Sequence, residues 1–223
     1  MSGDLIDQQA SGAPTDSLNP NFGESLPGFE NLTIVHALTD DLKEQLVARS
    51  SDETDAAIQQ NTSDCKRFGN LEKLDDWLAK GRDVNVLVGP DGELAGIFWS
   101  GDERMPGFDD ADHQQLTTES VRQVTIAFRL YPPHRGNQDR LATTFFTDSV
   151  TKLLGNTYED IVVWAETNDS NVRMKTVNSG AGMEQLGINP SNGRVLFAIA
   201  NFKTEVELSE VDDVVGQAEE AFI

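Results

Sequence analysis

Two arginines and a run of backbone N–H groups sit at a strand-to-helix junction in this chain. The junction reads Tyr131-Pro132-Pro133-His134-Arg135-Gly136-Asn137-Gln138-Asp139-Arg140. Before it, Val124, Ile126, Phe128 and Leu130 alternate with Thr125, Ala127 and Arg129, the period of a strand. The two prolines end that strand, because neither can donate to a ladder. After it, Leu141/Ala142, Phe145/Phe146, Ser149/Val150 and Leu153/Leu154 recur four apart on one helix face, and Gly155-Asn156 supplies a stop. A loop that brings N–H groups and guanidiniums to a helix N-terminus binds anions. The chemistry this predicts is the holding of a phosphate-bearing cofactor.

Other groups with chemical potential are scattered. Cys65 is the only cysteine and lies between Asp64 and Lys66, so it forms no internal disulfide and reads as incidental. His113 stands beside Asp109, Asp110 and Asp112, at a spacing that fits neither a calcium loop nor a zinc pair, so no metal site is read. His36 reads as packed or capped and His134 as exposed. Trp99 and Trp164 fall on strands and read as core that can also line a pocket. Arg129 points away from the apolar face of its strand, towards an acid partner.

The elements around the junction follow from periodicity. Residues 1 to about 31 hold five acids, no base and Pro14, Pro20 and Pro27, and they read as an arm without its own core. Leu32 to Ala37 is the first expected strand. Thr39, Asp40 and Asp41 cap a helix running to about Arg49, and Ser50 to Ser63 is polar and ambiguous. Leu71, Leu74, Trp77 and Leu78 have helical spacing, stopped at Gly81. Val84–Val88 and Leu94–Trp99 form a hairpin around Gly89-Pro90-Asp91-Gly92. Ser100 to Ser120 is expected as a long acidic loop with a helical turn. Ile161–Ala165 is a buried strand, Ser170–Ser179 a short helix, and Met183–Ile188 with Val195–Ala200 a second hairpin. The tail, 203–223, has the spacing of an acidic amphipathic helix. The order predicts one α/β domain over 32–202, a mixed sheet flanked by helices.

The chain has 223 residues and a formal net charge of −21. That charge argues against nucleic acid, whose phosphates demand a basic surface. Aspartates outnumber glutamates and arginines outnumber lysines, a pattern suited to a salt-rich cytoplasm. No apolar run approaches a membrane span, and no basic segment followed by an apolar one opens the chain, so a cytoplasmic protein without membrane contact is expected.

This order, with the anion loop after the fourth expected strand, resembles the GNAT superfamily of acyl-CoA-dependent N-acyltransferases. Three places carry the resemblance. Pro133-His134-Arg135-Gly136 opens the loop as the family's Pro-x-x-Arg-Gly does. Asn171-Val172-Arg173-Met174 through Gly182-Met183 is similar to the family's Asn-led helix, and Arg194-Val195-Leu196-Phe197 to its last strand. Ala165-Glu166-Thr167 before that helix is most similar to the branch that includes ribosomal-protein N-terminal acetyltransferases. The resemblance implies a mostly antiparallel sheet of six to seven strands. It also implies acetyl-CoA as co-substrate and transfer of its acetyl group to a primary amine, on a small molecule or a peptide, through a tetrahedral intermediate.

It assigns the cofactor to Phe128, Leu130, Arg135, Gly136, Asn137, Gln138, Arg140 and Asn171, with the N–H of Leu130 polarising the thioester carbonyl. Glu166 is the implied base, with Glu119 and His113 as alternatives. Tyr131 or Ser179 is the implied acid, with water as an alternative. Two departures are visible. Gln138 and Arg140 replace small residues of the loop, and Asn178 replaces the tyrosine that often protonates the thiolate. They keep a second reading open, a catalytically silent GNAT-like domain that binds CoA or a protein partner. The arm and the tail either seal the domain or pair two copies.

Overall fold

The computed structural model of the protein describes residues 23–107, 116–135, 139–156 and 159–202. The order is β1 (Gly23–Leu26), β2 (Phe29–Val35), α1 (Asp40–Ser50), α2 (Ala56–Asn61), α3 (Asp64–Arg67), α4 (Leu71–Leu78), β3 (Arg82–Val88), β4 (Leu94–Asp102), β5 (Arg122–Leu130), α5 (Asp139–Gly155), β6 (Ile161–Thr167), α6 (Val172–Gly180), β7 (Glu184–Ile188) and β8 (Val195–Asn201). Eight strands form one sheet in the order β1-β2-β3-β4-β5-β6-β8-β7. The β5–β6 contact is the parallel one, and the others are antiparallel.

Six to seven strands were expected, and the extra one comes from the segment read as an arm. β1 turns into β2 at Pro27-Gly28, where Gly28 has φ +76°, a conformation costly for any residue with a Cβ. Leu26 is buried by this turn. Four residues are too few to show a period, so the strand left no alternation to read. β2 accordingly starts at Phe29 rather than Leu32.

Side-chain alternation splits the sheet into two faces. On one, Ile126, Phe128 and Leu130 pack against Leu141, Phe145, Phe146 and Val150 of α5 and Val177 of α6. Phe128 and Phe146 lie 5.1 Å apart between ring centroids. On the other, Val86, Ile97 and Trp99 pack against Leu42 and Leu46 of α1, Ile58 of α2 and Leu74 and Trp77 of α4. Each such buried side chain is worth about 1.5–3 kcal/mol relative to exposure, which fixes the strand faces against slippage.

The ambiguous stretch Ser50 to Ser63 contains α2, and α3 follows directly after it. Asp55 caps α2 by accepting the N–H of Ile58, which is the residue that seats this helix in the core. The acidic stretch after Ser100 begins as strand through Asp102. The tail 203–223, residues 1–22 of the arm and His113 lie outside the described residues. No helix among the described residues is long and apolar enough to cross a membrane.

Candidate active site

β5 and β6 pair only from Arg122 to Thr125 and Ile161 to Trp164. Beyond that point β5 continues to Leu130 paired with β4 alone, and β6 continues to Thr167 paired with β8 alone. The sheet therefore opens into a wedge. The Tyr131 N–H donates to the Ala95 carbonyl at 2.9 Å. In an antiparallel ladder alternate residues face the partner strand. The amides of Phe128 and Leu130 consequently face the open side, where an extended ligand can pair with them.

The wedge is a cleft of about 670 Å³. One wall is Ile126, Phe128, Leu130, Ala142, Phe146, Met174 and Val177. The opposite wall is Trp99, Ala127, Arg129, Trp164 and Glu166, with Ile58, Ser63 and Arg67 from α2–α3 above it. One side is apolar, suited to a flexible arm; the other is polar and aromatic.

Of the residues the sequence singled out, Phe128, Leu130, Arg135, Glu166 and Asn171 all line this cleft. Asn171 caps α6, its Oδ1 accepting the Met174 N–H at 3.1 Å. Glu166 accepts amide hydrogens from the turn between β7 and β8: Asn189 donates to Oε1, and Asn192 donates to Oε2 at 2.9 Å. A carboxylate so held is fixed in place at the mouth of the wedge and still has lone pairs for a proton.

Arg135 differs from its expected role. Its two Nη atoms donate to the carboxylate of Asp55 at 2.5 and 2.7 Å, and its Nε donates to the Leu130 carbonyl at 2.9 Å. This bidentate clasp holds the Asp55 carboxyl below the usual carboxylate range, helped by the N–H groups of Ile58 and Ala57. The guanidinium is thus committed to Asp55 and to the end of β5, and not to an incoming anion. Arg140 lies outside the cleft, with Nη2 4.0 Å from where a Cβ on Gly28 would stand. Gly136, Asn137 and Gln138 lie outside the described residues.

Tyr131 is corrected. Its side chain is fully buried in the cluster of Leu42, Leu46 and Val88, does not line the cleft, and has a hydroxyl without a hydrogen-bond partner. Burial pushes that phenol well above its usual range, so it cannot give up a proton to a thiolate near neutral pH. Tyr131 continues the alternation of Ala127 and Arg129, which puts it on the face carrying α1. Asn178, where the resemblance implies a tyrosine, is likewise wholly buried, with both amide atoms unpartnered. Ser179 and Glu119 do not line the cleft either.

Three residues of the site were missed. Asp55 was hidden in a polar stretch, although an Asp before Ala-Ala-Ile is a helix-start signal. Asp64 is buried and takes the Nε of Arg129 at 3.1 Å, which ties α3 to β5. Arg67 lies with its guanidinium 5.2 Å from the ring centroid of Trp99, within the range of a cation–π contact. No carboxylate or hydrogen-bond acceptor pairs with Arg67 among the described residues. Burial holds its pKa below the usual guanidinium value.

No family model matches the sequence, and no curated protein matches it. Solved structures match the fold. The aminoglycoside acetyltransferase AAC(6')-Ib in complex with coenzyme A superposes with a TM-score of 0.55 at 16% identity, over 76% of this chain and 95% of that one. A GNAT superfamily phosphinothricin acetyltransferase from Sinorhizobium meliloti, in complex with AcCoA, gives 0.52 at 13% identity, over 79% and 91%. A GNAT-family acetyltransferase from Bacillus anthracis gives 0.50 at 13% identity, over 78% and 95%.

Proposed function

From the fold it shares with GNAT acetyltransferases, we propose that this chain transfers an acetyl group from acetyl-CoA to a primary amine. The observation that carries the reading is the wedge: β5 and β6 separate after Thr125 and leave the Phe128 and Leu130 amides facing a cleft walled by apolar side chains. A pantetheine arm has the amide groups to pair with such a strand edge, and the fold's neighbours include CoA complexes. The N-terminus of the 17-residue helix α5, reached through the Arg135–Arg140 loop, is the place for the pyrophosphate.

In this reading the Leu130 N–H polarises the thioester carbonyl. The amine nitrogen attacks that carbon, the carbon–sulfur bond breaks, and the products are an amide and CoA. A primary amine titrates near ~10.4, so its proton must be taken before or during attack. Glu166 is the acceptor, directly or through one water. The departing thiolate has an ordinary pKa near ~8.5, so water can supply its proton.

A second reading, a silent domain that binds CoA without turnover, is favoured by one observation. No Tyr, His or Cys side chain lines the cleft among the described residues. Thermal unfolding with and without acetyl-CoA, followed by an assay of free thiol over a panel of amines, separates the two. Saturation at a hundred times the dissociation constant should add about 2.7 kcal/mol of stability. No shift at millimolar acetyl-CoA refutes both readings. A shift with no thiol released across the panel supports the silent domain.

A further inference from the structure

Five arginines line the cleft as a whole, against two acids, Glu103 and Glu166, in a chain whose net charge is −21. Arg129 and Arg82 lie near enough to Arg67 to raise the electrostatic cost of its guanidinium, and the acids that offset it are Asp64 and Glu103. Asp64 is engaged by Arg129, and Glu103 is engaged by Arg82 at 3.3 Å. That leaves Arg67 as the guanidinium of this group without a counter-ion, resting on Trp99 and exposed to the cleft. A guanidinium taken partly out of water and left unpaired is costly. Such a group is retained at a fixed position where a ligand supplies the missing anion, and its planar fork fits a carboxylate.

The wall on which Arg67 stands decides which ligand that is. The apolar wall, with Phe128, Phe146 and Met174, is the one suited to pantetheine. Arg67 stands on the opposite wall, with Trp99 and Glu166. We infer that the acceptor is a small amine carrying a carboxylate, of the amino-acid type, whose carboxylate pairs with the Arg67 guanidinium over Trp99 while its nitrogen faces the thioester near Glu166. A polyamine or a polycationic sugar would bring further positive charge against Arg67 and is disfavoured. This inference rests on the acetyltransferase reading above and narrows its substrate.

The test uses the full chain with acetyl-CoA and matched acceptors: phenylalanine, leucine and lysine, each against the amine left by removing its carboxyl group. Thiol release gives kcat/KM for each. The expected result is a preference for the carboxylate-bearing member of at least about tenfold, the scale of a hydrogen bond to a charged group. In Arg67→Gln the preference collapses towards one through loss on the carboxylate side. Arg67→Lys, which keeps the charge and loses the fork, retains part of it. Melting shifts with acetyl-CoA stay unchanged in both variants, which separates an acceptor contact from a CoA-phosphate contact. Equal or better turnover of the decarboxylated amines overturns the inference, with no variant needed. So does a preference that survives Arg67→Gln, a lost acetyl-CoA shift in that variant, or no turnover of any carboxylate-bearing amine while acetyl-CoA still binds. If acetyl-CoA gives no shift in the unsubstituted chain, the underlying reading falls and this one with it.

Discussion

The Asp55–Arg135 clasp is the most quantitative feature of the site, and Asp55→Asn probes it cleanly. Asparagine keeps an oxygen for the Ile58 N–H, so the cap on α2 survives while the charge and one acceptor are lost. The two bonds, at 2.5 and 2.7 Å, are charge-assisted, with side chains 24% (Arg135) and 10% (Asp55) exposed. An exposed ion pair is worth about 0–1 kcal/mol, and breaking a fully buried one costs about 3–5. This pair lies between those limits, so a coupling of about 1–3 kcal/mol is expected, or about 2–12 °C in melting temperature for a domain of this size. The assay is urea unfolding of the unsubstituted chain, Asp55→Asn, Arg135→Ala and the double variant at pH 7 and near pH 3. The cycle removes the separate contribution of the Arg135 bond to the Leu130 carbonyl, which both members of one side share.

The sign with pH follows from the depressed Asp55 pKa. The clasp contributes its full stability above the unfolded-state value near ~3.9 and loses it as pH falls through the lower folded-state value. The coupling should thus be intact at pH 7 and reduced near pH 3. A coupling under about 0.5 kcal/mol at pH 7, within the usual error of additivity, refutes the clasp as an energetic link between α2 and the loop. The same variants read function. α2 supplies Ala57 and Ile58 to the cleft, so Asp55→Asn should raise the acceptor KM more than it lowers kcat.

Two further variants test the assignments. Tyr131→Phe removes a buried hydroxyl that has no partner; stability within about 0.5 kcal/mol of the original, or slightly above it, is expected with unchanged turnover, and a large fall in kcat would restore the phenol to the mechanism. Glu166→Gln removes the proton acceptor; kcat should fall by about 10²–10⁴-fold while the acetyl-CoA melting shift persists, whereas a change in stability alone would make Glu166 only the anchor of the Asn189–Asn192 turn.

Long periodic elements were readable in the chain, and the short capped ones were not. α5 announced itself by apolar pairs four apart, and the β3–β4 hairpin by Gly89-Pro90-Asp91-Gly92, because each period is repeated often enough to stand out. β1 and α3 have four residues each and left no period. The wedge left no local pattern to read, since strand separation is a matter of which strands pair. Arg135 shows the limit most clearly. Its position before a helix start fits an anion loop, yet Asp55, eighty residues earlier, takes its fork. A cation read from sequence has no visible counter-ion when that partner is distant in the chain. Arg67 is the converse case: beside Asp64 it looks paired, but Asp64 is engaged by Arg129 from β5.

These two arginines resolve an apparent conflict between the chain's charge and its ligands. A net charge of −21 repels CoA and any carboxylate at long range. That repulsion is a field effect, screened over about 10 Å at 0.1 M salt and about 3 Å at 1 M. Contacts inside the cleft act at 3 to 5 Å and are partly withdrawn from solvent, so salt weakens them much less. The acids outside set solubility and encounter, and the arginines inside set which charge is accepted. Asp55 and Asp64 take up the charges of Arg135 and Arg129, leaving those two to hold α2 and α3 against β5. Arg67 is left to face the acceptor. The selectivity of the site therefore follows from how its arginines are paired in the fold, which the net charge conceals.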